Sequence, residues 1–249
     1  MQTISGILFE PVGCLAEFPP EPFHEIAVQL YRKRGKVSRS ASRSYWHLLN
    51  LGGETIEALE VQAVDGAVIY DDVLPALAEL KAMGVKLFIA SSLSNAAITR
   101  FLERCCPHQF DGVWSRDNAG GIKAKPLARA IRGASLRPEN SMFLTDTAEG
   151  LKVADSVGVN SVLMMNDPDE SRRLAMLNPG GGIVSLHELP DFIRLVHAQN
   201  ESAWDEDLMR DFGPGGRAEW LVNEIQKEVG EGQARPLEEG FAKRRRSDS

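Results

Sequence analysis

From Asp72 to about residue 198 the chain alternates short apolar runs with stretches of helical periodicity, and this rhythm leaves few folds open. Val73, Leu77 and Leu80 share one face of a helix that ends at Gly84, and Val85–Ala90 follows as a buried strand. Ile98, Phe101, Leu102 and Cys105 mark the inner face of the next helix, and Gly112-Val113-Trp114 a short strand. A helix bearing Leu127, Ala130, Ile131 and Ala134, the strand Met142-Phe143-Leu144, a helix with Leu151, Ala154 and Val157, and the strand Ser161–Met165 continue the pattern. Such alternation predicts an α/β fold with a doubly wound, mostly parallel sheet and helices on both faces. Its crevice should open at the carboxyl ends of the strands.

An earlier strand, roughly residues 4–9, belongs to the same core, but the segment after it breaks the rhythm. Pro19-Pro20-Glu21-Pro22 interrupts the chain. Phe23, Ile26, Ala27 and Leu30 then fall on one helix face, a second helix spans about Tyr45–Leu51 before Gly52-Gly53, and a third runs from Glu54 to about Ala63. We therefore expect a core formed by residues 1–18 and 70–198, a small helical cap at 19–69 inserted after the first strand, and a partly disordered C-terminal extension at 199–249. Within that extension, Ala218–Val229 has the spacing of a helix, with Leu221, Ile225 and Val229 on one side.

With 249 residues and 43% apolar composition the chain can bury one substantial core. No apolar run reaches the length of a membrane span, and the N-terminal stretch lacks the basic region and cleavage site of a secretory leader. Three cysteines, two of them adjacent, form no disulfide framework, so a cytoplasmic setting is the expectation. A net charge of −7 argues against general nucleic-acid binding. It nevertheless hides a basic cluster: Arg32, Lys33, Arg34, Lys36, Arg39 and Arg43, beside Tyr45 and Trp46. That cluster suits a phosphorylated substrate, with Arg39 and Arg43 as candidate contacts, or an acidic partner surface; equally it is a solvated loop. Lys243–Arg246 reads as a solubilising tail.

Four polar sites follow strands. Glu10 ends the first strand in Ile7-Leu8-Phe9-Glu10-Pro11-Val12-Gly13-Cys14. Ser91 follows Val85–Ala90, with Ser92, Ser94 and Asn95 behind it, where a short hydroxyl and backbone N–H groups at a helix start can face an anion. Ser94 or Asn95 equally suits a helix cap. Lys125-Pro126 precedes a helix, with Lys123 as the competitor two residues earlier; the proline, common in a first helical turn, favours Lys125. Asp146 follows Met142–Thr145, either as a metal ligand or as the cap of the next helix.

In this order and spacing the four sites resemble the motifs of the haloacid dehalogenase-like hydrolases, in the branch that includes phosphoglycolate phosphatase and β-phosphoglucomutase. The resemblance covers about residues 4–198. It implies that position 10 holds the nucleophile, position 12 the acid/base, Ser91 a phosphoryl hydrogen-bond donor, Lys125 the neutralising cation, and Asp146 a metal ligand. The family places aspartate at both positions 10 and 12, where this chain has Glu10 and Val12. The dehalogenase branch also lacks the second aspartate. The expected function is thus a phosphatase-like protein with impaired or lost hydrolysis that keeps a crevice for a small phosphorylated molecule, contacted by Ser92, Asn95, Arg39 and Arg43. Magnesium would be held weakly or not at all, by Glu10, Asp146 and the backbone carbonyl of Val12, with Glu149 at longer reach. Two alternatives stand beside it. One is a working Mg²⁺-dependent phosphatase that uses Glu10, with acid/base duty moved to His24 or His47. The other is a scaffold that binds a protein partner or itself through residues 214–230.

Overall fold

The computed structural model describes residues 3–24 and 54–212, with Pro214, Glu219, Asn223 and Lys227 beyond them. The basic cluster with Arg39 and Arg43, His47, the expected helix at 23–30 beyond residue 24, the one at 45–51, and nearly all of 214–230 lie outside the described residues. Residues 2–197 form one compact unit, and residues 198–249 belong to another.

The first unit is built on β1 (Gly6–Phe9), β4 (Lys86–Ala90), β5 (Gly112–Trp114), β6 (Ser141–Thr145), β7 (Asn160–Met164) and β8 (Gly181–Ile183). They form one sheet in the order β5-β4-β1-β6-β7-β8, parallel throughout. All four residues of β1 are buried, as expected of a central strand covered on both faces. Ile7 and Phe9 face one hydrophobic cluster with Leu87, Ile89, Leu144 and Phe101; Leu8 faces another with Phe88, Phe143, Leu127 and Val153. The chain passes from β1 to β4 and β5 on one side, then returns to β6 on the other. The crevice of a doubly wound sheet lies at that reversal, above the end of β1.

The helices follow the expected faces. Here α1 is Glu54–Asp65, α2 Val73–Ala82, α3 Asn95–Cys105, α4 Ala124–Gly133, α5 Ala148–Val157, α6 Pro168–Ala175 and α7 Glu188–Phe212. Helix α1, the described part of the expected cap, packs against α3. Two short strands flank the inserted segment, β2 (Ala16–Glu17) and β3 (Val68–Ile69), paired antiparallel. Helix α7 is much longer than the expected Leu189–Val196. Beyond Pro190 in its first turn it meets no glycine or proline before Gly213-Pro214, so nothing in the backbone chemistry stops it at residue 196. Among the described residues no helix is long and apolar enough to cross a membrane.

Candidate active site

Four neighbouring strands, in the order β4, β1, β6, β7, end beside one another and deliver Ser91, Glu10, Asp146 and Asn166 to one rim. Register fixes this: Phe9 lies opposite both Ile89 and Leu144, and Thr145 opposite Leu163. Neighbouring strands lie about 5 Å apart, so groups just past their ends fall within reach of one another. The Glu10 backbone N–H still donates to Leu144 O at 3.2 Å, holding that residue in the ladder.

The Glu10 side chain is only 6% exposed and lines a small recess with Ser91, Ser92, Lys123, Leu127 and Phe143. Ser91 Oγ donates to Glu10 Oε1 at 3.3 Å and accepts the Leu93 N–H at 3.2 Å. Burial among apolar side chains, then the charge of Asp146, pushes the Glu10 carboxyl up to about 8, against a smaller opposing effect from Ser91. Asp146 is pushed to about 6, chiefly by burial. Asp146 therefore ionises first; Glu10, still protonated at that point, exerts no field on it, whereas Asp146 opposes the later ionisation of Glu10. Burial, with Asp146 and Glu10, keeps the Cys14 thiol well above its usual range. Tyr70 is pushed to about 12 by burial and by the field of Asp146, so its phenol stays a neutral donor.

Asp146 does not cap α5. Thr147 does, its hydroxyl accepting the Gly150 N–H at 3.0 Å, so the cap alternative for Asp146 is overturned and its carboxylate is left to the rim. There Asn166 Nδ2 donates to Gly13 O at 2.7 Å and lies 3.4 Å from Asp146 Oδ2. Gly13 has φ +75°, and a Cβ on it would fall 1.9 Å from Asp146 Oδ2. A Gly13→Ala substitution should thus cost about 1–2 kcal/mol from left-handed backbone strain alone and rotate the Asp146 carboxylate away. Urea unfolding reads the first effect, and the Asp146 carboxyl chemical shift the second.

The lysine expectation is corrected. Lys125 is exposed and donates to Gly120 O at 2.7 Å, away from the recess. Lys123 lines the recess instead. The reason lies in where α4 starts: at Ala124, which puts Lys125 on the helix and leaves Lys123 just before it. Pro126 still falls in the first turn, whose N–H groups have no partner within the helix. Lys123, outside the helix at φ +64°, donates its backbone N–H to Ser92 Oγ at 2.9 Å. Its ammonium is 3.8 Å from Glu149.

Ser92 is at the recess, but Asn95 is exposed on the first turn of α3, its N–H bonded to Asp117 Oδ2 at 2.6 Å, and is not brought to the site. Ser94 is the cap of α3, accepting the Ala97 N–H at 3.2 Å. Val12 is half-buried against the core and presents no proton donor. His24 is exposed after a 3₁₀ turn, Glu21–Phe23. Asn166 escaped the sequence reading, although its place just past the buried strand β7 was the signal. Glu60 and Arg116, described below, also escaped it.

The two carboxyl groups of Glu10 and Asp146 are the donor type that a hard divalent cation takes. Both carboxyls sit above their ordinary range, the condition that an added positive charge relieves. Yet Glu10 is engaged by Ser91, and among the described residues no group of three His, Cys, Asp or Glu side chains assembles. By residue type, then, the pair fits Mg²⁺ with two carboxylates and no more.

The fold recurs in solved structures: a haloacid dehalogenase-like hydrolase from Streptococcus pneumoniae (TM-score 0.61, 16% identity, 77% of this chain and 99% of that one) is similar. So are a phosphatase from Thermococcus onnurineus (0.56, 20% identity, 76% and 97%) and L-2-haloacid dehalogenase from Xanthobacter autotrophicus (0.55, 18%, 77% and 99%). At these identities the likeness is one of fold, and that fold carries both phosphatases and a dehalogenase. In sequence, Enolase-phosphatase E1 of Danio rerio is 26% identical over 130 residues, 51% of this chain and 50% of that protein, so the match spans half the length of this curated relative. The family model of the haloacid dehalogenase-like hydrolases matches residues 39–164. With the parallel sheet and the rim at its strand ends, that match makes this chain a member of the haloacid dehalogenase-like hydrolase family.

Proposed function

We propose that this phosphatase-like protein has lost, or nearly lost, hydrolytic activity and keeps its crevice to bind a small phosphorylated molecule. The bond between Ser91 and Glu10 carries this reading: the hydroxyl expected to donate to a phosphoryl group donates to the carboxyl expected to attack it. A carboxyl held largely protonated near neutral pH is a poor nucleophile, and Val12 supplies no general acid, a group typically worth about 10²–10⁴-fold. Ser92, Ser91 and Lys123 keep the chemistry that receives an anion. Hydrolases of this family generally use Mg²⁺. Here Asp146, ionised Glu10 and the Val12 carbonyl would hold it, and when bound it would neutralise phosphate charge. The full chain, assayed with Mg²⁺ and a panel of phosphate esters, should show no turnover above background. Robust hydrolysis that Glu10→Gln abolishes would falsify the proposal.

The likeness to Enolase-phosphatase E1 favours a second reading, an active phosphatase in which ionised Glu10 attacks phosphorus. Its mark is an acyl-phosphate trapped on Glu10 and detected by mass spectrometry; this adduct should be missing if the first reading holds.

A further inference from the structure

Glu60 is fully buried on α1, on the inner face that it shares with Ile56, Ala63 and Val64. Its Oε1 receives Arg116 Nη1, and its Oε2 accepts the Ser94 N–H at 3.0 Å. The Arg116 side chain is 11% exposed, and its Nη1 also donates to Ser92 O at 3.2 Å. The Arg116 backbone N–H donates to Leu93 O at 3.1 Å, and its carbonyl accepts the Gly121 N–H at 2.7 Å. Ser92 Oγ in turn holds the Lys123 N–H. Three separate segments, α1, residues 91–94 and residues 116–123, are therefore joined by one buried ion pair whose bonds run to loop backbone.

A buried ion pair is weak evidence for stability, since apolar residues of similar volume often serve a core as well or better. What this pair does, and an apolar pair cannot, is orient polar groups: charge-assisted bonds are short and directional. The groups oriented are the Ser92 carbonyl and the Ser94 N–H, which fix the backbone just after Ser92, and, through the Ser92 hydroxyl, the main chain of Lys123. We infer that Glu60 and Arg116 are positioning residues that hold Ser91, Ser92 and Lys123 in the geometry that receives the anion. The inference deepens the proposed function and rests on its reading of the crevice. It also ties the inserted segment to the site, because α1 is where that segment rejoins the core.

The test compares the full chain with Glu60→Gln, which is nearly isosteric, and with Arg116→Lys, which keeps the charge but loses the fork. Phosphate binding is read by calorimetry with inorganic phosphate, and loop order by amide hydrogen exchange at Ser94 and Lys123, with the β1 amides as the reference for global stability. Glu60→Gln should weaken phosphate binding by about 10- to 100-fold, the scale of a displacement near 1 Å. Exchange at the Lys123 amide should quicken about tenfold while β1 stays protected, and Arg116→Lys should fall between the two. Unchanged phosphate affinity together with unchanged exchange at Lys123 overturns the inference. If Glu60→Gln does not fold, Arg116→Lys is read against the same criteria. If the wild-type chain takes up no phosphate while Lys123 exchange responds as described, the ligand reading fails and the positioning role stands.

Discussion

Replacing Glu10 and Val12 together by aspartate should raise phosphate-ester hydrolysis by about 10⁴-fold or more over the wild-type chain. The extra methylene of Glu10 moves its carboxylate by roughly 1 Å, and a misplacement of that size can cost about 10²-fold. The absent general acid at position 12 costs a further ~10²–10⁴-fold. At position 10 an aspartate is too short to occupy the recess among Leu127, Phe143 and Val153, where burial now holds the carboxyl protonated. It would release Ser91 to the phosphoryl group. Val12 is only half-buried, so a carboxyl there keeps access to water. The two changes should not add: a general acid has nothing to assist without a placed nucleophile, so Val12→Asp alone should gain almost nothing. Initial rates with p-nitrophenyl phosphate and Mg²⁺ decide. A folded double variant with no gain would mean that the crevice is no framework for phosphoryl transfer. A wild-type rate already close to that of the double variant would favour the active-phosphatase reading.

The strands and their order of service to the site were legible because each carries its own evidence. Ile7-Leu8-Phe9 and Met142-Phe143-Leu144 are apolar on both faces, which only a covered sheet accommodates, and a polar residue just past such a run lands at the crevice. That logic placed Glu10, Ser91 and Asp146, and applied to β7 it would also have found Asn166. Lys123 was less legible: Pro126 does fall in the first turn of the helix that starts at Ala124, but that turn also carries Lys125, and only the fold shows that Lys123, just before it, lines the recess. Glu60 was legible only in part. Its spacing with Ile56, Ala63 and Val64 puts it on the inner face of Glu54–Asp65, but the partner that satisfies it there, Arg116, lies 56 positions away. Periodicity reports which face of an element is apolar; it does not report which polar group has found a partner across the fold.

In metal-free buffer the chain should lose stability as pH rises from about 4.5 to about 8, and Glu10→Gln should abolish most of that loss. The folded-state value of Glu10 lies above its ordinary value of 4.5, at about 8. Between these values the native state binds a proton that the unfolded chain has released, so unfolding free energy falls with rising pH, by about 1.4 kcal/mol per unit. The stabilisation is complete below about 4.5 and gone above about 8, a total on the order of 5 kcal/mol. Asp146, raised from 3.8 to about 6, adds a loss of the same sign in its own lower window. This is the reverse of ordinary acid denaturation, in which carboxylates paired in the native state lose their partners as they protonate. Glutamine at position 10 has no such proton to lose. Urea midpoints in EDTA should therefore give a Glu10→Gln minus wild-type gap that widens by several kcal/mol between pH 5 and pH 9, and a constant gap would exclude a buried, proton-holding Glu10. Repeating the pH 9 measurement with Mg²⁺ turns the same variant into a test of the metal: a cation held by ionised Glu10 and Asp146 adds about 2.7 kcal/mol to the wild-type chain at a hundredfold excess over its dissociation constant. Glu10→Gln, with one of those carboxylates gone, should gain far less, so magnesium would narrow the gap that alkaline pH opened.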